Sequence, residues 1–245
     1  MNLTWKHAEL VGLHYGDGSL IQRKGTNKLR FQLRGDAITD KAHYDNFIIP
    51  LCNELIGFPL LGREVCTITD RKHNCFGVSI ESPYLLNFFN ALGIKVGKKE
   101  ELHIPEWITE NEDFSKAFVR GLFDTDGNIA YGKNYTSKSK LHRVGLVSIA
   151  CTSELLILET SKILLKIGIK NYVTKFEKNN GEKDCYRVRV YRPHHKVFME
   201  LVGSNNSKNC EKFQIGEKFG FCPPKTTPKQ RKAILKGELD PISLY

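Results

Sequence analysis

The amino-acid sequence contains an internal repeat that covers most of its 245 residues. Residues 8–20 (AELVGLHYGDGSL) align with residues 117–129 (AFVRGLFDTDGNI) at an offset of 109 (117 − 8), with identical residues at five positions. Two further matches follow at offsets of 111 (168 − 57) and 110 (192 − 82): Gly57 on Gly168, and residues 82–93 on residues 192–203. Three matches in the same order at a nearly constant offset predict a fold built from two similar halves.

The hydrophobic pattern predicts the same order of elements in each half. Apolar residues at helical spacing predict three helices per half: at about 5–16, 40–56 and 83–92, and at about 113–125, 153–167 and 194–202. Alternating apolar and polar residues predict four strands per half; Leu29, Phe31 and Leu33, for example, share one face of a strand. The predicted fold class is α+β, with duplicated α-β-β-α-β-β-α halves, pseudo-twofold symmetry and two four-stranded antiparallel sheets.

The same pattern divides the chain into four parts. Residues 1–94 are the first half, residues 95–112 a polar linker, and residues 113–222 the second half. A basic tail, residues 223–245, follows and is predicted to form a short helix around residues 229–236.

The first helix of each repeat carries small residues at every fourth position. These are Ala8, Gly12 and Gly16 in the first copy and Ala117, Gly121 and Thr125 in the second. Glycine inside a helix costs roughly 1 kcal/mol relative to alanine, and such a stripe is typical of helices whose backbones approach closely. The two helices are therefore predicted to pack on each other around a pseudo-twofold axis. Gly18 and Gly127 are predicted to end them in the left-handed cap conformation.

This packing would place Asp17 and Asp126 side by side at two helix C-termini. Two carboxylates repel each other there, and the negative end of each helix dipole adds to the repulsion. A single Asp-Gly pair is more simply read as a turn cap, but a duplicated pair on two packed helices favours a cation between the carboxylates. Hard carboxylate oxygens suit magnesium.

Two other chemistries use similar aspartate clusters, and both fit poorly. A phosphatase nucleophile loop needs an apolar strand before its D-x-D-G, but the residues before Asp124 have helical spacing and the first copy has Tyr15 in that place. A calcium-binding EF-hand loop starting at Asp124 needs Glu at its twelfth position, where Tyr135 stands.

The charge of the chain favours a nucleic acid as its partner. Lys and Arg number 37 against 27 Asp and Glu, a net charge of +10. Polar and basic residues also follow one face of the predicted strands, and arginine and glutamine pair well with base edges. The predicted DNA-contacting residues are Gln22, Arg23, Arg30, Gln32, Arg34, Thr67, Thr69, Arg71, Lys133, Arg143, Lys175, Arg187, Arg189 and Tyr191. The loop at residues 131–143, with Lys138 and Lys140, could clamp backbone phosphates.

The cysteines and the N-terminal residues indicate the cellular compartment of the protein. The seven cysteines include no C-x-x-C pair, the N-terminal MNLTWKHAEL is too polar for a signal peptide, and no apolar run approaches the length of a membrane span. We expect a protein that is not secreted and that resides in a reducing intracellular compartment, the cytoplasm or an organelle matrix.

The two motif segments resemble a known signature. LVGLHYGDG (residues 10–18) and VRGLFDTDG (residues 119–127) resemble the paired motif of LAGLIDADG homing endonucleases, in the single-chain form with two motifs. The first copy departs from the family at the sixth position, where Tyr15 replaces the usual acid. Both copies keep the eighth-position acid, which carries metal in the family, as Asp17 and Asp126.

The resemblance implies a function and roles for particular residues. Asp17, Asp126 and the carbonyls of Gly16 and Thr125 would hold two or three Mg²⁺ ions, for which Mn²⁺ could substitute. The two sheets would form a saddle on double-stranded DNA, and a monomer would cut both strands of a long, non-palindromic site across the minor groove, leaving short 3′ overhangs. Gln32 would act in catalysis by organising solvent around the metals. In the second half no lysine stands at the expected place, and Ser148 is nearest.

The resemblance leaves other functions open. Some members of the family are maturases that bind the RNA of their host intron, and some relatives only bind DNA. The domain could also derive from an intein, but the intein-like HNC at residues 73–75 lies inside the first repeat and is interpreted as chance.

Overall fold

A computed structural model of the chain describes residues 1–22, 24–97, 99, 101–133, 140–178 and 181–245. The first half begins with a helix, which we call the first motif helix, Trp5–Tyr15. Strands β1 (Gly18–Gln22) and β2 (Leu29–Asp36) follow. A long helix then runs through four consecutive segments, Lys41–His43, Tyr44–Ile48, Ile49–Cys52 and Asn53–Leu61. Strands β3 (Cys66–Asp70) and β4 (Cys75–Ser82) and the helix Leu85–Ala91 complete the half.

The second half repeats this order. A short helix, Glu106–Thr109, precedes the second motif helix, Glu112–Asp126. The remaining elements are β5 (Gly127–Lys133), β6 (His142–Cys151), the helix Glu154–Lys166, β7 (Asn171–Phe176), β8 (Cys185–Val190), a 3₁₀ turn at Arg192–His194 and the helix His195–Leu201. The predicted α+β fold class, with its duplicated halves, is confirmed.

Each half forms one four-stranded sheet. The strand orders are β1-β2-β4-β3 and β5-β6-β8-β7, and all neighbouring strands are antiparallel. One face of each sheet packs on helices and contributes buried side chains, such as Leu33 and Val78 in the first sheet and Ile149 and Val188 in the second. We call the opposite faces the outer faces. Within the described residues, no helix is long and apolar enough to cross a membrane.

The two motif helices pack on each other as the small-residue stripe predicts. A Cβ atom on Gly12 would overlap the carbonyl oxygen of Phe118, and a Cβ on Gly121 would overlap that of Glu9. The two contacts are related by the repeat offset (121 − 12 = 109 and 118 − 9 = 109), so they are the two copies of one pseudosymmetric contact. Because both helices approach through a glycine, their C-termini emerge side by side.

The predicted left-handed caps at Gly18 and Gly127 are wrong. Gly127 has extended dihedral angles (φ −89°, ψ 162°) and begins β5 directly, and Gly18 is not among the glycines with positive φ. Space is the reason for glycine at these positions. A Cβ on Gly18 would lie 2.6 Å from the Cα of His14, and one on Gly127 would lie 2.7 Å from the Cα of Phe123. The chain turns back over the last helical turn too closely to admit a side chain.

Three helical regions differ from the sequence prediction. One is the short helix Glu106–Thr109, which lies inside the predicted linker. The long helix of the first half continues past residue 56 to Leu61, and its segments Tyr44–Ile48 and Asn53–Leu61 are π-helical. Pro59 lies inside the second π-helical segment, and Pro50 lies in the α-helical segment directly after the first. Both lack an amide hydrogen, and neither ends the helix. The helix Ser207–Phe219 was not predicted; with the tail helix Pro228–Lys236, it encloses a small second core.

Candidate functional site

Asp17 and Asp126 lie at the C-termini of the two motif helices, and the helix packing brings them together. The close contact between helices continues at Gly16, where a Cβ would lie 3.5 Å from the carboxyl carbon of Asp126. Burial raises the pKa of Asp126 to about 6. Asp17 is open to solvent on one side, but crowding by the surrounding protein and the charge of Asp126 raise its pKa to about 7. The site therefore holds two carboxylates that are poorly stabilised as anions.

Lys99 lies beside this pair, although the sequence prediction assigned it to the linker. Its ammonium donates to the carbonyls of Gly16 (2.8 Å), Tyr15 (3.2 Å) and His14, at the C-terminal end of the first motif helix. Burial lowers the pKa of Lys99 to about 8, while the charges of Asp126 and Asp17 oppose this shift. Lys99 thus neutralises a helix end that already carries a carboxylate.

Lys208 is the counterpart of Lys99 in the second half. Lys99 follows Asp17 by 82 residues (99 − 17), and Lys208 follows Asp126 by 82 residues (208 − 126). The positive charge of Lys208 lowers the pKa of Asp17, so the two charges lie close enough to interact. Lys208 lies on the helix Ser207–Phe219 and not near the strand ends, where the sequence analysis looked for a lysine, so the sequence analysis did not identify it.

Gln32 and Ser148 occupy equivalent places on the two outer faces. Gln32 pairs with Ser19 in the first sheet, and Ser148 pairs with Asn128 in the second. The partners are related by the repeat offset (128 − 19 = 109). Gln32 donates to the hydroxyl of Ser79 (2.9 Å) and accepts from Arg34 (3.0 Å). Their catalytic role remains a prediction.

The donors around the aspartates fit a hard divalent cation. Among the described residues, no group of three or more His, Cys, Asp and Glu side chains could hold a metal, so the protein itself offers two carboxylates together with backbone carbonyls. The hydroxyl of Thr125 donates to the carbonyls of Gly121 (3.1 Å) and Leu122 (3.0 Å), so it belongs to the helix. Mg²⁺ is commonly held by one or two carboxylates and completes its shell with water and substrate phosphate.

The strand register places part of the predicted DNA-contacting set on the outer faces. Arg30, Gln32 and Arg34 lie on the outer face of the first sheet. On the second, Arg189 pairs with Ser148 and Arg187 with Ala150, and the ring of Tyr191 lies 4.9 Å from that of Tyr172. Phe176 lies under both arginines, with guanidinium-to-ring distances of 4.9 Å for Arg187 and 5.4 Å for Arg189.

Four other predicted contacts lie on the opposite face, and these assignments are corrected. They belong to edge strands and pair with core-face residues: Gln22 with Leu29, Thr67 with Val78, Thr69 with Phe76, and Lys175 with Tyr186. Edge strands have few buried residues to fix their pattern, and a slip of one residue exchanges the two faces. Cys66, Ile68 and Asp70 take the outer-face positions of β3 instead.

The remaining predicted contacts lie at the ends of strands. Arg71 follows β3 and is exposed, as is Lys140. Lys133 and Arg143 are exposed at an irregularity in the pairing of β5 with β6. Arg23 and Lys138 lie outside the described residues.

Comparison with known proteins matches the second copy of the repeat to a family. Residues 113–203 match the family model described as a LAGLIDADG-like domain. The second half of the chain is therefore similar to a LAGLIDADG-like domain. A structure of I-DmoI in complex with DNA and Mn is 18% identical and covers 82% of this chain and 98% of its own, with a TM-score of 0.59. A variant of I-SmaMI is 12% identical and covers 89% of this chain and 90% of its own, with a TM-score of 0.57. At these identities the likeness shows the shared LAGLIDADG fold.

Two curated relatives come from Methanocaldococcus jannaschii. The tRNA-splicing ligase RtcB is 31% identical over an alignment of 149 residues that covers 53% of this chain and 14% of that protein. The replication factor C small subunit is 26% identical over an alignment of 213 residues that covers 84% of this chain and 10% of that protein. The chain thus spans only a small part of each of these proteins.

The sixth position of the LAGLIDADG motif differs between the two copies but has a similar structural task in both. Asp124 is buried and accepts from the amide of Asn205 (2.7 Å) and from the hydroxyl of Ser204. Tyr15, which replaces the acid in the first copy, donates to the carbonyl of His103 (2.7 Å). Each residue fixes a segment adjacent in sequence to one of the two lysines.

Proposed function

We propose that this protein is a metal-dependent DNA endonuclease that cuts both strands of a long, non-palindromic site. One observation carries the proposal: glycine-mediated packing of the motif helices brings Asp17 and Asp126 together at the junction of two similar sheets. A protein that only bound DNA would gain nothing from two crowded carboxylates whose pKa values are raised. The family match and the fold shared with I-DmoI, described as a homing endonuclease, support this function.

Asp17 and Asp126 would hold divalent metal, together with the carbonyls of Gly16 and Thr125. Mg²⁺ is the proposed ion and Mn²⁺ a substitute; structures of I-DmoI with DNA and Mn, and with DNA and Ca, support a divalent metal. When bound, the metal supplies a Lewis acid for hydrolysis of the phosphodiester. Because the Gly16 carbonyl accepts from Lys99, its share in binding metal would require the lysine to move or to share that oxygen.

The protein's own contribution to chemistry lies in the two lysines. Lys99 has a pKa lowered to about 8, so a fraction of it is neutral near physiological pH and it can accept or return a proton. In its charged form it can stabilise negative charge that develops on a phosphate oxygen. In the second half, the ammonium of Lys208 would stabilise such negative charge, and Gln32 would order solvent.

The outer faces would contact the DNA bases. Arg30, Arg34, Arg187 and Arg189 can pair with base edges in the major groove. Because the two faces carry different residues, the recognised site would have unlike halves. A monomer suffices for this task, because one chain already supplies both sheets and both aspartates.

The first test uses the DNA that flanks this gene in its host, joined as an intronless allele would read. The duplex is incubated with the protein in Mg²⁺ or in EDTA, beside Asp126→Asn and the exposed control Glu110→Gln. We expect one Mg²⁺-dependent double-strand cut with 3′ overhangs, retained in Glu110→Gln and lost in Asp126→Asn. A cut that persists in Asp126→Asn would overturn the proposed site.

Tight binding without a cut would indicate a DNA-binding relative. Tight binding to flanking intron RNA instead would indicate a maturase. The small matching segments in two proteins with unrelated names fit a domain that is inserted into different hosts. All seven cysteines are free, which fits the reducing intracellular compartment that we propose for the protein.

A further inference from the structure

The two lysines of the candidate site have different partners. Lys99 donates to helix carbonyls in its own half, whereas Lys208 forms an ion pair with Asp40 of the first half, at 2.8 Å between Nζ and Oδ1. Otherwise the repeat relates the lysines closely, with the same spacing from their aspartates. The ion pair is therefore a departure from pseudosymmetry inside the site.

Asp40 is held firmly in this contact. Its Oδ1 also accepts from the side-chain amide of Asn206 (3.1 Å), and its Oδ2 accepts from the backbone amide of Asp36 (3.2 Å). The side chains of Asp40 and Lys208 are only 17% and 26% exposed, so solvent screens the pair less than at an open surface. These contacts leave the ammonium of Lys208 little freedom.

The equivalent position in the second half lacks the carboxylate. Asp40 directly precedes the long helix of the first half, and Ser153 directly precedes the helix Glu154–Lys166. Ser153 also contacts the linker that follows the first half, because its hydroxyl accepts from the amide of Leu102 (3.3 Å). Asp40 and Ser153 thus each bind a segment that carries one of the two lysines. Only Asp40 contacts the lysine itself.

We propose that Asp40 is a positioning residue that fixes Lys208 for the cutting of one DNA strand. The inference rests on the proposed function and adds an asymmetry to it, since one lysine is anchored by a carboxylate and the other by a helix end. The two strands would then be cut at different rates, and Asp40 would govern only one of them.

Strand-resolved cleavage tests this assignment. Each strand of the target duplex carries its own label, and nicked and linear products are followed for the unaltered protein, Asp40→Asn, Lys208→Met and the double variant. We expect Asp40→Asn to slow one strand about tenfold or more, as misplacement of a catalytic group does, and to leave the other within about twofold. Nicked DNA should accumulate, and Lys208→Met should slow the same strand.

The double variant separates positioning from a general effect. If Asp40 acts through Lys208, the double variant is no slower than Lys208→Met, because the coupled effects are not additive. Asp40→Glu should restore part of the lost rate. Asp45→Asn is the control, since Asp45 lies on the same long helix in an exposed ion pair with Lys41 and should cut like the unaltered protein.

Three results would overturn the inference. These are equal slowing of both strands by Asp40→Asn, additive losses in the double variant, and unchanged cutting by Asp40→Asn. Duplex affinity in Ca²⁺ and the thermal midpoint, measured for every variant, identify a variant that has merely lost its fold. If Asp40→Asn has lost its fold, the cutting rates of the two strands are compared in Asp40→Glu instead. If the unaltered protein does not cut, the proposed function falls and this inference falls with it.

Discussion

Asp126 is an acid whose charge the fold disfavours, and this has a measurable consequence for stability. Burial raises its pKa to about 6, above the ordinary value of an aspartate. At a pH between the ordinary and the raised pKa, the metal-free native state therefore binds more protons than the unfolded chain. The ionised carboxylate therefore destabilises the metal-free fold most above pH 6, and less as the pH falls toward the pKa of the unfolded chain.

Asp126→Asn should accordingly stabilise the metal-free protein. We expect a gain of about 1–2 kcal/mol in the free energy of unfolding at pH 8, with allowance for partial solvation, and a smaller gain at pH 5. Urea unfolding in EDTA at both pH values measures it, with Glu110→Gln as an exposed control. An equal gain at both pH values, or a loss at pH 8, would contradict the assigned pKa.

Single residues differ in how far the sequence could predict them. Asp17 and Asp126 were predictable because each stands inside a repeated motif whose helix spacing fixes its place. Lys99 and Lys208 lie outside the aligned segments, and tertiary structure alone brings them back to the helix ends. Their equal spacing of 82 residues from the aspartates (99 − 17 and 208 − 126) was the signal that could have identified them.

At the scale of elements, central strands were predictable and edge strands were not. Leu29, Phe31 and Leu33 are all buried, so β2 has one possible register against the core. In β7 the pattern is weaker, and Lys175 lies on the face opposite to that of Arg187 and Arg189. The helix Ser207–Phe219 was missed for a related reason: it has few apolar residues, and of these only Ile215 is fully buried, in the small second core.

The corrected register makes a prediction about two basic residues of the same sheet. Arg189 lies on the outer face over Phe176, whereas Lys175 is paired with Asp184 at 2.9 Å on the other face. Arg189→Ala should weaken binding of the target duplex by about 1–3 kcal/mol, and Lys175→Ala should leave it nearly unchanged. Fluorescence anisotropy at one fixed salt concentration compares them; the reverse ranking would show that the other face meets the DNA.

For the whole molecule, the two outer faces differ in chemistry although their folds match. The first face carries Arg30, Gln32 and Arg34. The second is largely apolar and aromatic around Arg187 and Arg189, with exposed Val144 (41%), Tyr172 (37%), Phe176 (42%) and Tyr191 (48%). Arginine and glutamine read guanine and adenine, whereas apolar side chains contact the methyl group of thymine. The half-site under the second sheet should therefore depend more on thymine.

Replacing thymine by deoxyuridine removes only that methyl group, so it tests this difference directly. Arg189→Ala first identifies the half-site under the second sheet, because the variant should lose footprint protection there. We then expect deoxyuridine in that half-site to weaken binding severalfold, up to about 1 kcal/mol per contacted base, while the same change in the other half-site has little effect. Equal losses in both half-sites would mean that Val144, Tyr172, Phe176 and Tyr191 do not read thymine methyl groups. The two halves of the protein would then differ in sequence, but their sheets would not be specialised for different bases.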